Sequence, residues 1–433
     1  MHIYKKIESF LTKKTLIIAL VFSALIIQPK VISWNESSRM ATVQSMVEHK
    51  SLIIDDTSFI ETGDKVYING HFYSDKPFFA SFLGAIIYAP LYWLGIKLTA
   101  DFNLAYYLIT LFTVKLFYFF GLLAFYEILE RIKINQNHRY WMVFSLAFAS
   151  LFFPWATTFN NHLLAASFLI IGLKYLLNSR EGPTIKLIIL SGMFFSMAGA
   201  VDLPMIIFYL GFYIYILTIP ELRKFSFFYI VPSFFTILPT FIIFYQVSES
   251  FLPLTANIDA FIYPETPWVG KKFEELTGRG INKGWFLINY SFHSLLGTNG
   301  FILYNPLLFL AIPNLIKEIK QRKPFWREGI VIGAGTLIVT LFYLLSSTNY
   351  SGNSYSIRWF VPFLPMLFIF LYPIFDDSKK ILFYRLLILS ILISAVGTFA
   401  PWSNIEDIHK IPFLANIIEM SNLLEFIINF STN

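Results

Sequence analysis

The sequence predicts an all-α polytopic membrane protein. Three observations predict it. Of 433 residues, 56% are hydrophobic and only 14% charged, against about 25% charged in soluble domains. The apolar residues fall in blocks of about 17–25, the length that spans about 30 Å of hydrocarbon. The basic residues sit in short loops between those blocks.

In chain order, Lys5, Lys6, Lys13 and Lys14 precede an apolar run over 15–34. No small-residue cleavage site follows, so an uncleaved first helix is expected rather than a signal peptide. A polar stretch covers 35–76. Apolar blocks then lie at 77–98, 104–129, 140–158, 162–178, 185–201, 203–219, 225–247, 299–316, 328–346, 358–375 and 381–400, with a second long polar loop at 248–298.

Suppose the 77–98 block spans. Then Arg131, Lys133 and Arg139 lie outside, with Lys317, Lys320, Arg322, Lys323 and Arg327. Suppose it does not. Then these clusters join Lys174, Arg180, Lys186, Arg223, Lys224, Lys379, Lys380, Arg385 and the N-terminal lysines in the cytoplasm. The positive-inside rule prefers the second arrangement. Gly84, Pro90 and Gly95 interrupt the block, which suits a surface-lying or re-entrant segment. The expectation is therefore about eleven spanning helices in one unit over 1–400. Loops 35–103, 159–162, 248–298 and 347–357, with Asp202, then face outward. An amphipathic extracytoplasmic tail at 401–433 completes the chain.

The net charge of +6 is spent on topology signals, which argues against a nucleic-acid partner. With no Cys, disulfide and thiolate chemistry are excluded. No internal repeat of the kind found in secondary transporters is evident.

The first loop carries the candidate chemistry. Glu36 follows the first helix and Arg39 comes three residues later. Met40, Val43, Met46 and Val47 keep helical spacing, so a short in-plane helix is expected, with Glu36 and Arg39 on one face of its first turn. The segments Thr62-Gly63-Asp64-Lys65 and Ile68-Asn69-Gly70-His71 are turn chemistry consistent with a small hairpin. Ser74-Asp75-Lys76-Pro77 returns the chain to the membrane.

This loop resembles that of the GT-C membrane glycosyltransferases, in the branch of bacterial lipid A aminoarabinose transferases and protein O-mannosyltransferases. That branch has an acidic residue just past the first helix, an Arg three residues on, and an acidic-Lys-Pro motif before the next apolar block. Here those positions match Glu36 (or Asn35, one residue off), Arg39 and Asp75-Lys76-Pro77. The family's next acidic residue falls at Asn160-Asn161-His162, where no carboxylate stands; the role is missing or has passed to His162. Gly352-Asn353-Ser354-Tyr355 and Arg358 look like a late-loop pattern of the bacterial members. The resemblance implies a GT-C-type bundle with extracytoplasmic juxtamembrane helices. It implies a bacterial inner membrane, an outward-facing site, a polyprenyl-phosphate-linked sugar as donor, and a glycan, lipid or protein as acceptor. Glu36 would be the base.

The chemistry is consistent on its own terms. A sugar on a lipid phosphate already has a good leaving group. What is needed is a base for the acceptor's proton and cations for the phosphate. Arg39 offers paired N–H donors and Lys76 a point charge. In-line attack would invert the anomeric centre. This chemistry needs no cofactor or metal, and dependence on a divalent cation stays open.

Each residue also has a plainer reading. Glu36 suits a helix N-terminus. Arg39 and Lys76 suit interfacial anchors. Asp75 suits orienting Lys76 or pairing with a neighbouring cation. Asp55, Asp56, Asp64 and Lys65 read as solvated turn residues. His71 and Tyr73 share one strand face, for packing or sugar contact. Asn160, Asn161 and His162 suit sugar hydroxyls. Asp202 and Lys115 line a cavity or, respectively, mark a hairpin and snorkel. Arg358 is placed to hold a second phosphate or a carboxylate. Trp268, Trp285, Lys271, Lys272 and His293 lie in the 248–298 loop, for carbohydrate or an aromatic belt. Two other classes stay open, a flippase of lipid-linked saccharides and a non-catalytic assembly protein. The clustering of polar residues on one face weighs against the first.

Overall fold

The computed structural model describes residues 11–270, 282–376, 380–403 and 411–432. Lys5, Lys6, Lys271, Lys272 and Lys379 lie outside the described residues. α1 (Lys13–Ala24) begins at Thr12, whose side chain and that of Thr15 cap each other's backbone N–H. α2 (Trp34–Gln44) starts at Ser33 and runs on through a π-helical turn at Ser45–His49. It is the short helix expected in the first loop, and it is buried nearly all round.

The hairpin is also present. β1 (Lys65–Ile68) pairs antiparallel with β2 (His71–Ser74), Lys65 opposite Ser74 and Ile68 opposite His71. Asn69 and Gly70 both take positive φ, 53° and 89°, as a two-residue turn of this twist requires. Val66 is fully buried against Phe244, Val247 and Leu254, which anchors the hairpin to the end of a later helix.

α3 (Phe78–Trp93) runs beside α2. Ser81 donates to the Arg39 carbonyl at 3.1 Å, and Tyr88 donates to Glu48. The Leu98 carbonyl accepts from Gln44 at 3.5 Å, and Asn103 N–H donates to Pro29 O at 3.3 Å. Both ends of the 77–98 block are thus tied to the α2 layer.

α4 (Leu104–Arg131) is a long helix with a π turn at Leu111–Lys115. After α5 (Gln136–Phe148) comes α6 (Asn161–Glu181), the centre of the bundle. Its apolar residues are buried on every side, which marks an interior helix, and it packs on α4, on α7 (Ile185–Val201) and on a later helix. α8 (Ile206–Thr218), α9 (Ser233–Ser248), α10 (Gly284–Leu295), α11 (Leu308–Lys320) and α12 (Trp326–Ser346) follow. α13 (Arg358–Phe375) alternates 3₁₀ and α geometry around Pro362, Pro365 and Pro373. α14 (Lys380–Phe399) and α15 (Pro412–Thr432) end the chain, with Asn416 donating to Ala400 O at 2.8 Å.

Among the described residues, five helices are long and apolar enough to cross a membrane: α4, α6, α12, α13 and α14. Four shorter apolar helices accompany them. These five are among the eleven spans expected, and the other expected spans hold shorter or interrupted helices. The reason is local. The 225–247 block breaks at Val231–Pro232, between a short helix Ser226–Ile230 and α9, and the 140–158 block ends its α-helix at Phe148 before a 3₁₀ turn at Pro154–Thr157. Proline lacks the N–H that continues a helix.

The charges segregate to two ends. Arg131 pairs with Glu181 at 2.6 Å, Lys174 with Glu127 at 2.7 Å and Arg180 with Glu328 at 2.5 Å. The opposite end gathers α2, the hairpin, the start of α6, Asp202 and the loop before α13.

Candidate active site

That second end holds a cavity of about 1190 Å³. Arg39 is its central cation. One turn of α2 places Asn35 and Arg39 on the same edge, and Arg39 Nε donates to Asn35 Oδ1 at 3.4 Å. Nη2 donates to Asn161 Oδ1 at 2.8 Å. Nη1 has no partner among the described residues, although Arg39 is only 2% exposed. Burial pushes its pKa down to about 10, opposed by the nearby Asp75 and Asp202 carboxylates, so the guanidinium stays charged at neutral pH.

The hairpin supplies the next group. Its register sets Asp64 opposite Asp75, one step beyond the Lys65–Ser74 pair. Lys76 Nζ lies 2.9 Å from Asp64 Oδ2 and 2.8 Å from Asp75 Oδ2. Ser38 and Ser74 hydroxyls meet at 2.6 Å and tie β2 to α2, with Ser38 also 3.4 Å from Asp75 Oδ1. Burial raises both carboxyls, but the Lys76 ammonium and its hydrogen bond bring Asp64 below its ordinary value. Asp75 ends above its own, because burial and the Asp64 charge outweigh Lys76. Lys76 is therefore already neutralised by two carboxylates.

A third group lies at the start of α6. Asn160 caps the helix, accepting from Leu163 N–H at 2.9 Å. His162 Nδ1 sits 2.7 Å from Asp202 Oδ2, both residues buried. Arg358 enters from the start of α13, its guanidinium 4.6 Å from the Trp402 ring centre, its Nε without a partner among the described residues. Trp268 and the stacked pair Tyr343–Trp359, centroids 4.4 Å apart, also line the space. Ile206, Ile207, Ile338, Val339 and Phe342 form an apolar wall. Asp64, Asp75 and Asp202 thus face Arg39, Lys76 and Arg358, and the apolar side adjoins exposed faces of α12 such as Ile338 and Phe342.

Glu36 and Arg39 do not share a face. Glu36 is fully buried behind α2. Tyr106 and Thr158 hydroxyls donate to one oxygen, Ile32 N–H (3.1 Å) and Ser33 Oγ (3.3 Å) to the other. Its place one turn into the helix, with its own N–H on Ser33 Oγ at 3.1 Å, makes it part of the helix cap. Burial raises its pKa against those four donors. It does not line the cavity, whereas Asn35 does.

His71 and Tyr73 also stand outside. They point away from Ser74's side of the strand, and His71 pairs instead with Asp55 at 2.8 Å. Lys115 neither reaches the cavity nor snorkels. It is buried near the Tyr118 and Phe153 rings, with no hydrogen-bond partner among the described residues. Trp285 and His293 are likewise absent from the lining, and Trp285 is exposed. The structure brings together Arg39, Asp75, Lys76, Asn161, His162, Asp202 and Arg358 from the expected set, takes Asn35, the alternative to Glu36, into the lining, and adds Asp64. Asp64 was legible in principle: a turn fixed at Asn69-Gly70 places it opposite Asp75. Among the described residues, no group of three or more His, Cys, Asp or Glu is placed to hold a metal.

The sequence matches no protein-family model, and no curated protein sequence matches it significantly. Solved structures do match. ArnT from Cupriavidus metallidurans superposes with a TM-score of 0.54 at 14% identity, over 86% of this chain and 61% of that one. The oligosaccharyltransferase of Archaeoglobus fulgidus gives a TM-score of 0.52 at 12% identity, over 93% of this chain and 55% of that one. The chain is similar in fold to these two proteins, both of the GT-C type. This chain spans about three fifths of the first relative's length and just over half of the second's. Further structures of the two are described as bound to undecaprenyl phosphate (TM-score 0.52, 13% identity, 87% of this chain and 61% of that one) and as in complex with an inhibitory peptide and a dolichol-phosphate (0.51, 11%, 94% and 55%).

Proposed function

We propose that this protein is a membrane glycosyltransferase that moves a sugar from a polyprenyl-phosphate carrier to an acceptor on the extracytoplasmic face. The observation that carries the reading is Arg39, a buried guanidinium in a cavity, with one nitrogen held by Asn161 and one without a partner among the described residues. A buried donor without a partner is costly, and a phosphate oxygen is the group that a guanidinium in such a position suits. Arg358, whose Nε has no partner among the described residues, supports a second contact to the same phosphate. The apolar wall of α8 and α12 suits the start of a prenyl chain. The fold adds support, since its similar structures include ones holding undecaprenyl phosphate and dolichol-phosphate.

In this reading the acceptor oxygen attacks the anomeric carbon and the lipid phosphate leaves with the bond's electron pair. Attack from the far side inverts the centre. Arg39 and Arg358 stabilise the charge that grows on the leaving phosphate. The proton acceptor belongs to the cavity rather than to Glu36. The outward assignment of the site rests on the basic clusters, which gather at the opposite end of the bundle.

The test is sugar release by purified protein from a panel of polyprenyl-phosphate sugars in liposomes, with crude envelope acceptors. Transfer by the wild type, and its loss in Arg39→Ala, is the expected result. A folded wild type that turns over no donor would favour a lipid-saccharide flippase.

A further inference from the structure

We infer that His162, oriented by Asp202, is the group that takes the acceptor's proton. The inference rests on the glycosyl-transfer reading and adds to it the identity of the base. A proton acceptor must reach the cavity with a lone pair free. Glu36 fails the first condition, with both oxygens occupied behind α2. Asn35 holds the corresponding cavity position and has no acidic group to offer. Asp64 and Asp75 line the cavity, but each spends a carboxylate oxygen on Lys76.

His162 meets both conditions. Asp202 accepts only, so the 2.7 Å contact fixes the ring proton on Nδ1. The lone pair is then on Nε2, which has no protein partner among the described residues and is not sealed from the cavity the ring lines. A carboxylate holding one ring nitrogen while the other faces the reactant is the arrangement that makes imidazole a directed base. Its location is right too. Asn161, the neighbouring residue, holds Arg39 Nη2, so the residue that positions the phosphate grip adjoins the base in the chain.

The step balances. The acceptor hydroxyl oxygen forms a bond to the anomeric carbon as the bond to the phosphate oxygen breaks. The hydroxyl proton passes to His162 Nε2, and the electron pair of the broken bond stays on the polyprenyl phosphate. Asp202 stabilises the imidazolium beside the cationic Arg39 and Arg358. The imidazolium then returns its proton to water.

The experiment measures sugar transfer and, separately, binding of polyprenyl phosphate to the liposome-reconstituted protein. The variants are His162→Gln, His162→Ala, Asp202→Asn and Asp75→Asn. A lost general base costs about 10²–10⁴ in rate. The expected result is that loss in kcat for both His162 variants, with polyprenyl-phosphate binding unchanged. Added imidazole is expected to restore His162→Ala in part, and Asp202→Asn to be slow. Transfer in His162→Gln within a few-fold of wild type, or a loss in Asp75→Asn alone, would overturn the dyad and leave the transferase reading standing. If wild type transfers from no donor, the transferase reading falls and the dyad with it.

Discussion

At the scale of single residues, two neighbours on α2 have opposite fates. Arg39 opens into the cavity and Glu36 is shut behind it. Replacing Arg39 by Lys keeps the charge but loses the planar fork. We expect transfer to fall about 100-fold or more in Arg39→Lys, with thermal stability nearly unchanged; steady-state rates and melting curves check both. Glu36 contributes differently. Its folded-state pKa lies above the ordinary 4.5, so the folded form holds its proton more tightly than the unfolded form. Its contribution to stability is then greatest below pH 4.5 and declines as pH rises through the folded pKa. Asp75 has the same sign, and Asp64, depressed below 3.8, the opposite one, losing its contribution as pH falls. Glu36→Gln is expected to flatten the fall of the thermal midpoint above pH 4.5 and to keep transfer within about tenfold of wild type. Loss of transfer without loss of folding would return the base to Glu36. The sequence shows both residues but not their facing. α2 is buried nearly all round, so no polar stripe distinguishes the cavity side from the packed side.

At the scale of elements, the hairpin is the part the sequence makes most legible. Asn69-Gly70 demands a two-residue turn, and that turn alone fixes which residues pair. Reading Asp64 as a solvated turn residue overlooked this register, which sets it opposite Asp75. Gly70 stands at φ 89° with open space around it, so Gly70→Ala meets backbone strain only, about 1–2 kcal/mol. A lower melting temperature with the transferase still active is expected. Gly192 is a different case. A Cβ there would lie 2.1 Å from the Tyr229 carbonyl oxygen, where α7 packs on the turn at Ser226–Ile230. Backbone on both sides leaves nothing to yield, so Gly192→Ala should cost more than about 4 kcal/mol and elute as aggregate in size exclusion. No periodicity signals such an approach, because it depends on how two distant elements meet.

At the scale of the molecule, composition alone establishes the membrane bundle, while the count of spans is less legible. Apolar blocks measure chain length, and prolines and 3₁₀ turns decide how much of that length is helix. The charge clusters are more informative. The loops carrying Arg131 and Arg180, expected on one side, meet at one end, joined by Arg131–Glu181 and Arg180–Glu328. The site occupies the other end. A reporter fused at Asn103 should therefore read as extracytoplasmic and one at Lys133 as cytoplasmic. The reverse at Asn103 would mean that the 77–98 block crosses and that the site faces inward.

The most direct test of the central claim is the turnover of polyprenyl-phosphate sugars by the purified protein in liposomes, wild type beside Arg39→Ala. The account predicts sugar transfer by the wild type and a rate lower by about 100-fold or more in the variant. Equal rates in the two proteins, or a folded wild type that releases sugar from no donor, would contradict it.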